Sequence, residues 1–121
     1  MKGSCLCGAV TFEVKGAAAG FSCCHCGQCR KQSGHVWASA YMEDGTIEIR
    51  GELRWYRSSE AASRGFCPTC GSFLFWKKDK YDTPSFSLGA IDGPTGVRLA
   101  KHIFTADKGD YYDIADCVPQ L

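Results

Sequence analysis

The sequence predicts a single, mainly β domain that is held together by bound metal. Short β-rich segments recur every 8–12 residues or so, and Gly- and Asp-containing turns separate them. Nine cysteines occur in 121 residues, and seven of them form three tight clusters. The length suits one domain, and the chain has neither an internal repeat nor an interdomain linker.

The first half of the chain is expected to contain three strands and one helical turn. Residues 9–14 form a strand with Val10, Phe12 and Val14 on one face. A loop is expected at 16–20, and a short helical turn at 25–32 that ends at Gly34. The remaining expectations in this half are a strand at 36–42, a hairpin turn at Asp44-Gly45 and a strand at 46–50.

The second half of the chain is expected to consist of strands around one cysteine-containing turn. The strand candidates are 53–57, 62–66, 72–77, 85–91 and 97–104. The βαβ alternation of a thioredoxin fold is missing, which argues against a redox role for the Cys-Pro-Thr-Cys segment at 67–70.

The outer cysteine pairs are predicted to form one closed metal site. Cys67 and Cys70 flank a Pro-Thr turn and precede a glycine, as in a zinc knuckle. Two sulfurs fill only half of a tetrahedral zinc site. Cys5 and Cys7 lie beside strand sequence, where residues i and i+2 share a face, and we expect them to supply the other half. The alternative is a pair of small buried residues beside an unrelated turn.

The middle cluster is predicted to form an open metal site with Cys24, Cys26 and Cys29 as ligands. Zinc with three thiolates carries a net charge of −1, which makes it a poor generator of hydroxide but suits it to binding a small thiol. The alternative is a second structural site. Its fourth ligand would be one of Cys23, His25, His35 and His102.

Other uses of the cysteines are disfavoured but stay open. The odd number of cysteines and the Cys-x-Cys spacing argue against a disulfide framework. No export signal is recognisable, so we expect a cytoplasmic protein. Iron held by four thiolates is an alternative to zinc, although Cys-x-Cys is unusual for it. A net charge of +1 argues against nucleic acid, and no apolar run is long enough for a membrane helix.

The chain resembles the glutathione-dependent formaldehyde-activating enzyme (GFA) family, also known as the CENP-V/GFA domain. The resemblance covers nearly the whole chain. The matching segments are GSCLCGAVTF at 3–12, CHCGQCRKQSG at 24–34, FCPTCG at 66–71 and the tail HIFTADK at 102–108 followed by YDI at 112–114.

The resemblance implies a β-tent fold of several small antiparallel sheets and two zinc ions per chain. One zinc would be structural, on Cys5, Cys7, Cys67 and Cys70. The other would be of the catalytic type, on Cys24, Cys26 and Cys29. The implied reaction joins glutathione and formaldehyde as S-hydroxymethylglutathione, which is a carbon–sulfur lyase reaction in reverse.

Three residues near the middle cluster are candidates for further roles if glutathione binds there. Arg30 and Lys31 follow the last cysteine and are the nearest cations for its carboxylates. His35 is the preferred candidate for relaying the thiol proton, although the proton could also pass directly to water.

Two classes of function are therefore carried forward. The first is a zinc-dependent carbon–sulfur lyase that acts on a small thiol, such as glutathione, and an aldehyde. The second is a non-catalytic zinc module that binds protein or nucleic acid, and a thiol store or zinc buffer is a third option. The sequence leaves open the thiol, the aldehyde and the oligomeric state.

Overall fold

The computed structural model describes residues 1–121 as a mainly β domain with 45% strand and 11% helix. The eight strands are Lys2–Ser4 (β1), Thr11–Cys24 (β2), Trp37–Arg50 (β3), Arg54–Arg57 (β4), Ala62–Phe66 (β5), Phe73–Lys78 (β6), Ser85–Ser87 (β7) and Lys101–Ile103 (β8). One α-helix, Gly27–Ser33 (α1), follows β2, and 3-10 turns occur at Leu88–Ala90 and Thr105–Asp107. The prediction of a mainly β, antiparallel single domain is confirmed.

Hydrogen bonds connect the strands in the order β1-β2-β3-β7-β6-β5-β4, and β8 pairs with β2. All neighbours are antiparallel except β2 and β8, which run parallel. None of the helices has the length and hydrophobicity needed to span a membrane.

The core lies between the long β2–β3 pair and the β6–β7 pair. The predicted face of Val10, Phe12 and Val14 is buried, with Val10 fully inaccessible to solvent. Phe12 packs edge-on against Phe75, with ring centroids 5.0 Å apart. The same cluster includes Cys5 and Cys67, so it extends to the outer cysteine pairs.

Two turn predictions are wrong, because both segments lie inside long strands. The residues expected to form a loop at 16–20 belong to β2, and the expected hairpin at Asp44-Gly45 lies within β3. Gly16 pairs with Gly45, and both have positive φ angles, 118° and 104°. The glycines therefore allow two paired strands to kink together and do not reverse the chain.

The other boundaries differ in smaller ways. The predicted helical turn is observed as α1, which ends at Gly34 with φ 84° as expected. The strands predicted at 85–91 and 97–104 shrink to three residues each, β7 and β8. Strand β1 was not predicted, and Cys5 and Cys7 lie in the turn after it and not on a strand face.

Candidate metal centres and ligand pocket

The outer cysteine pairs meet in space as predicted. The sulfurs of Cys5, Cys7, Cys67 and Cys70 all lie within 4.8 Å of one another. The Cys5 and Cys7 sulfurs are 3.6 Å apart, and those of Cys7 and Cys67 are 3.8 Å apart. Four sulfurs about 2.3 Å from a tetrahedral zinc would be about 3.8 Å apart, so this cluster fits the ion.

Polar groups of the chain lie within hydrogen-bonding distance of sulfurs in this four-cysteine cluster. The Val10 N–H donates to Cys5 Sγ at 3.2 Å. The Ser72 hydroxyl lies 3.2 Å from Cys70 Sγ and lowers the pKa of Cys70 to about 5. Such donors stabilise thiolates, the form in which cysteine binds metal.

The middle cysteines form a second cluster around the start of α1. The sulfurs of Cys24, Cys26 and Cys29 lie within 4.8 Å of one another. Cys24 ends β2, Cys26 caps the helix by accepting a hydrogen bond from the Cys29 N–H, and Cys29 lies in the first turn. A strand end and a helix start thus position three sulfurs within six residues.

A buried cation from a distant strand lies against this three-cysteine cluster. Arg64, on β5, is 5% exposed, and both of its terminal nitrogens lie 3.7 Å from Cys29 Sγ. One of them also donates to Gln28 Oε1 at 3.1 Å, while Nε is buried without an acceptor. A buried arginine needs a nearby anion, so this environment favours thiolate sulfur.

The electrostatics of the three sulfurs favour a bound cation. The neighbouring Cys24 sulfur, which lies within 4.8 Å, and the guanidinium of Arg64 together lower the pKa of Cys29 to about 6. The proximity of Cys29, reinforced by burial, raises the pKa of Cys24 far above its usual range. One sulfur therefore ionises at the expense of its neighbour, and a divalent ion would allow all three to be thiolates. The donor set fits zinc.

The three-cysteine cluster opens into a pocket of about 350 Å³, which we call the cysteine pocket. Trp37 forms a buried wall beside Cys24 and Cys29, and its indole N–H donates to Ser87 Oγ at 2.6 Å. The other lining residues include four serines, the aromatic residues Tyr41, Trp76 and Phe104, and two cations, Arg64 and Lys101. No aspartate, glutamate or histidine lines it.

A third group of potential ligands lies on the opposite face of β2. Cys23, His25 and His102 are all buried and close together. His25 Nε2 and His102 Nδ1 are only 2.8 Å apart, whereas two imidazoles on one tetrahedral zinc would be about 3.3 Å apart. The 2.8 Å separation is that of a hydrogen bond, so in this structure the two imidazoles bind each other.

These histidines instead belong to a hydrogen-bonded chain that reaches the tail. Both carboxylate oxygens of Asp116 lie 3.0 Å from His102 Nε2, so that nitrogen carries the proton. With both rings neutral, His25 Nε2 then donates to His102 Nδ1, and His25 Nδ1 accepts from the Tyr112 hydroxyl. These hydrogen bonds fix His25, the residue between Cys24 and Cys26, and turn its side chain away from the cysteine pocket.

Comparison with known proteins identifies the family of this chain. Residues 1–107 match the family model described as glutathione-dependent formaldehyde-activating enzyme. This chain belongs to the GFA family.

Two relatives extend the comparison. An uncharacterized lyase of Schizosaccharomyces pombe is 28% identical over 122 aligned positions, covering 95% of this chain and 85% of the relative. The crystal structure of a Rhodobacter sphaeroides protein is 30% identical, with a TM-score of 0.60, and the match covers 79% of this chain and 92% of that one.

Within this GFA domain the predicted ligand-binding cations do not meet the cysteines. The guanidinium of Arg30 donates to the backbone oxygen of Asp107 at 2.9 Å, and Lys31 is exposed beside a different depression. Neither residue lines the cysteine pocket. His35, the proposed proton relay, is also outside it and bonds through Nδ1 to the Tyr111 hydroxyl at 2.8 Å.

Sequence reasoning missed the two cations that do line the pocket, Arg64 and Lys101. Arg64 comes from β5 and Lys101 from β8, so each is more than thirty residues from the middle cysteines. Their approach depends on the pairing of β8 with β2 and on the path of the sheet, which no local spacing reveals.

Proposed function

We propose that this GFA protein is a zinc-dependent carbon–sulfur lyase that forms or breaks the adduct of a small thiol and an aldehyde. The family name points to glutathione and formaldehyde, and we propose S-hydroxymethylglutathione as the adduct. Two zinc ions per chain are proposed, one structural in the four-cysteine cluster and one in the three-cysteine cluster.

The observation that carries the proposal is the difference between the two clusters. The outer cluster has four sulfurs, enough for a closed tetrahedral site. The middle cluster has three, and it borders a pocket of about 350 Å³. A zinc ion there would supply a coordination position that holds a thiol as its thiolate at neutral pH.

The residues around the pocket suit this chemistry. Arg64 places positive charge against Cys29, which limits the build-up of negative charge as further thiolate enters. The wall formed by Trp37 shields one side of the cluster from water. Serine hydroxyls from β2, β3 and β7 can orient polar groups of the ligand.

The reaction is balanced without an oxidant or reductant. The sulfur forms a bond to the carbonyl carbon, the C=O double bond becomes a single bond, and the proton lost by the thiol ends on the oxygen. Because no aspartate, glutamate or histidine lines the pocket, we propose that this proton passes through solvent at the pocket mouth. His35 has no part in this version of the reaction.

The experiment measures the rate of adduct formation from glutathione and formaldehyde above the uncatalysed rate, with zinc-loaded protein. Cys26→Ser should abolish the excess rate while leaving a folded domain. Cys117→Ser is the matched control, because Cys117 is exposed and lies outside both clusters. A wild-type rate in Cys26→Ser would exclude the three-cysteine cluster from the reaction. If Cys26→Ser loses the zinc of that cluster but the wild-type protein shows no catalysed rate, the result favours the non-catalytic zinc module.

A further inference from the structure

The charged groups that face the cysteine pocket are all cationic, apart from the cysteines themselves. Arg64 and Lys101 line it, and no carboxylate does. A ligand with negative charge therefore meets complementary groups in this pocket, whereas an ammonium group finds no carboxylate partner.

The two cations differ in availability. The guanidinium of Arg64 is buried and committed to Cys29 and Gln28. Lys101 is half-buried, and its ammonium group makes no hydrogen bond or ion pair with any other residue of the chain. Lys101 is thus the cation that is free to bind a ligand.

Strand geometry places Lys101 on the pocket side. Alternate residues of a strand point to opposite faces, and Lys101 and Ile103 line the pocket while His102 points into the buried histidine chain. Lys101 pairs with Ser22, and Ile103 pairs with Cys24. Lys101 is therefore two residues along β8, about 7 Å, from the Ile103–Cys24 pair, and Cys24 is a candidate metal ligand. A lysine side chain can span much of that distance.

We propose that Lys101 binds the anionic group of the thiol and makes the cysteine pocket selective for thiols that carry negative charge near their sulfur. This inference rests on the proposed function, because it requires the thiol to bind at the three-cysteine cluster. It assigns to Lys101 the role that sequence reasoning gave to Arg30 and Lys31. The substrate class is a mercapto acid, or a peptide thiol with a carboxylate within reach of β8.

The experiment titrates zinc-loaded protein, at one pH, with two thiols of similar size and different charge. The probes are 3-mercaptopropionate, which is anionic, and 2-mercaptoethanol, which is neutral, and calorimetry gives each Kd. The readout is the ratio of the two affinities in wild type divided by the same ratio in a variant. This double ratio cancels the difference in intrinsic thiol acidity between the probes.

Lys101→Gln should lower the preference for 3-mercaptopropionate by about 2- to 5-fold, the range of a partly exposed ion pair. The matched control is Lys77→Gln, which removes a half-buried lysine from β6 that does not line the cysteine pocket. It should leave the ratio unchanged.

Two results would overturn the inference, and they are distinguishable. If both thiols bind and the ratio is the same in Lys101→Gln and wild type, Lys101 does not bind the anionic group of the thiol. The proposal that the pocket binds thiols would be unaffected. If neither thiol binds wild-type protein that holds its full zinc complement, the proposed function fails together with this inference.

Discussion

Arg64 is a buried cation whose nearest anionic partner is a sulfur of the three-cysteine cluster. Zinc with three thiolates would carry a charge of −1, and a fourth thiolate would make it −2. Arg64 reduces both charges by one, at a place that water reaches poorly. Under the proposed function, the residue would therefore support both retention of the metal and binding of the thiol.

We predict that Arg64→Gln weakens retention of the second zinc roughly tenfold, because a charge-assisted contact contributes about 1.5 kcal/mol. Arg64→Lys keeps the charge but loses the planar fork, and it should give an intermediate value. Competition with a chromophoric zinc chelator measures the effect. Arg54→Gln, an exposed arginine on β4, is the control. Wild-type retention in a folded Arg64→Gln protein would rule out this role.

His25 is a second residue whose environment makes a prediction. Burial is the larger cause that lowers the pKa of His25, and the neighbouring His102 is the next. The folded protein therefore keeps this imidazole neutral. In the unfolded chain it takes up a proton near pH 6.5. The unfolded state therefore binds more protons than the folded state below that pH, and acidification destabilises the fold.

We predict that the free energy of unfolding falls more steeply between pH 7.5 and 5.5 in wild type than in His25→Asn, by up to about 1.4 kcal/mol per pH unit. Both proteins have the same cysteines, so the contribution of zinc release to the slope largely cancels in the difference. Denaturant titrations of zinc-loaded protein measure it, with His35→Asn, at an exposed histidine, as the comparison variant. Equal slopes in wild type and His25→Asn would contradict the assignment of a neutral, buried imidazole.

At the scale of elements, the long β2–β3 pair explains both the wrong turn predictions and the shape of the fold. The glycine-containing segments at 16–20 and 44–45 are typical of turns, so the local sequence predicts that the strands end there. In the structure Gly16 of β2 lies opposite Gly45 of β3, and both strands continue through the kink. Only knowledge of the cross-strand partner distinguishes a kink from a turn, so the sequence could not predict it.

We predict that Gly45→Ala destabilises the protein by about 2 kcal/mol or more. An added Cβ would lie 2.0 Å from the Lys15 backbone oxygen, and φ is 104°. Both the close contact and the backbone strain are costly. Gly89→Ala, where nothing lies within 4 Å of the new Cβ, should change stability little. Thermal unfolding of the two variants provides the test, and equal stability would mean that the paired kink relaxes easily.

At the scale of the whole molecule, the pairing of cysteine clusters could be predicted and the pocket could not. The 5/7 and 67/70 pairs are each incomplete as a tetrahedral site, and that incompleteness, with the i, i+2 spacing of Cys5 and Cys7, suggested that they meet. Both pairs lie at turns that flank the core. Their meeting connects the turn after β1 to the turn between β5 and β6. The pocket depends on residues from β2, β3, β5 and β8 together, so its cations are known only from the fold.

The two clusters should consequently differ in what their loss does to the molecule. The four-cysteine cluster closes a loop of about sixty residues, and two of its cysteines belong to the main core. Metal bound there would contribute directly to the free energy of folding. The three cysteines of the middle cluster lie within six residues on a strand end and helix start that the β2–β3 and β2–β8 pairings already hold.

We therefore predict that Cys70→Ser unfolds the domain or lowers its free energy of unfolding by several kcal/mol, whereas Cys26→Ser keeps a cooperative fold and loses one zinc per chain. Far-UV circular dichroism, denaturant titration and elemental analysis on the same preparations separate the two effects. Cys117→Ser controls for the loss of a cysteine as such. If Cys26→Ser unfolds as readily as Cys70→Ser, both clusters are structural. The open site on which thiol chemistry depends would then lose its physical basis.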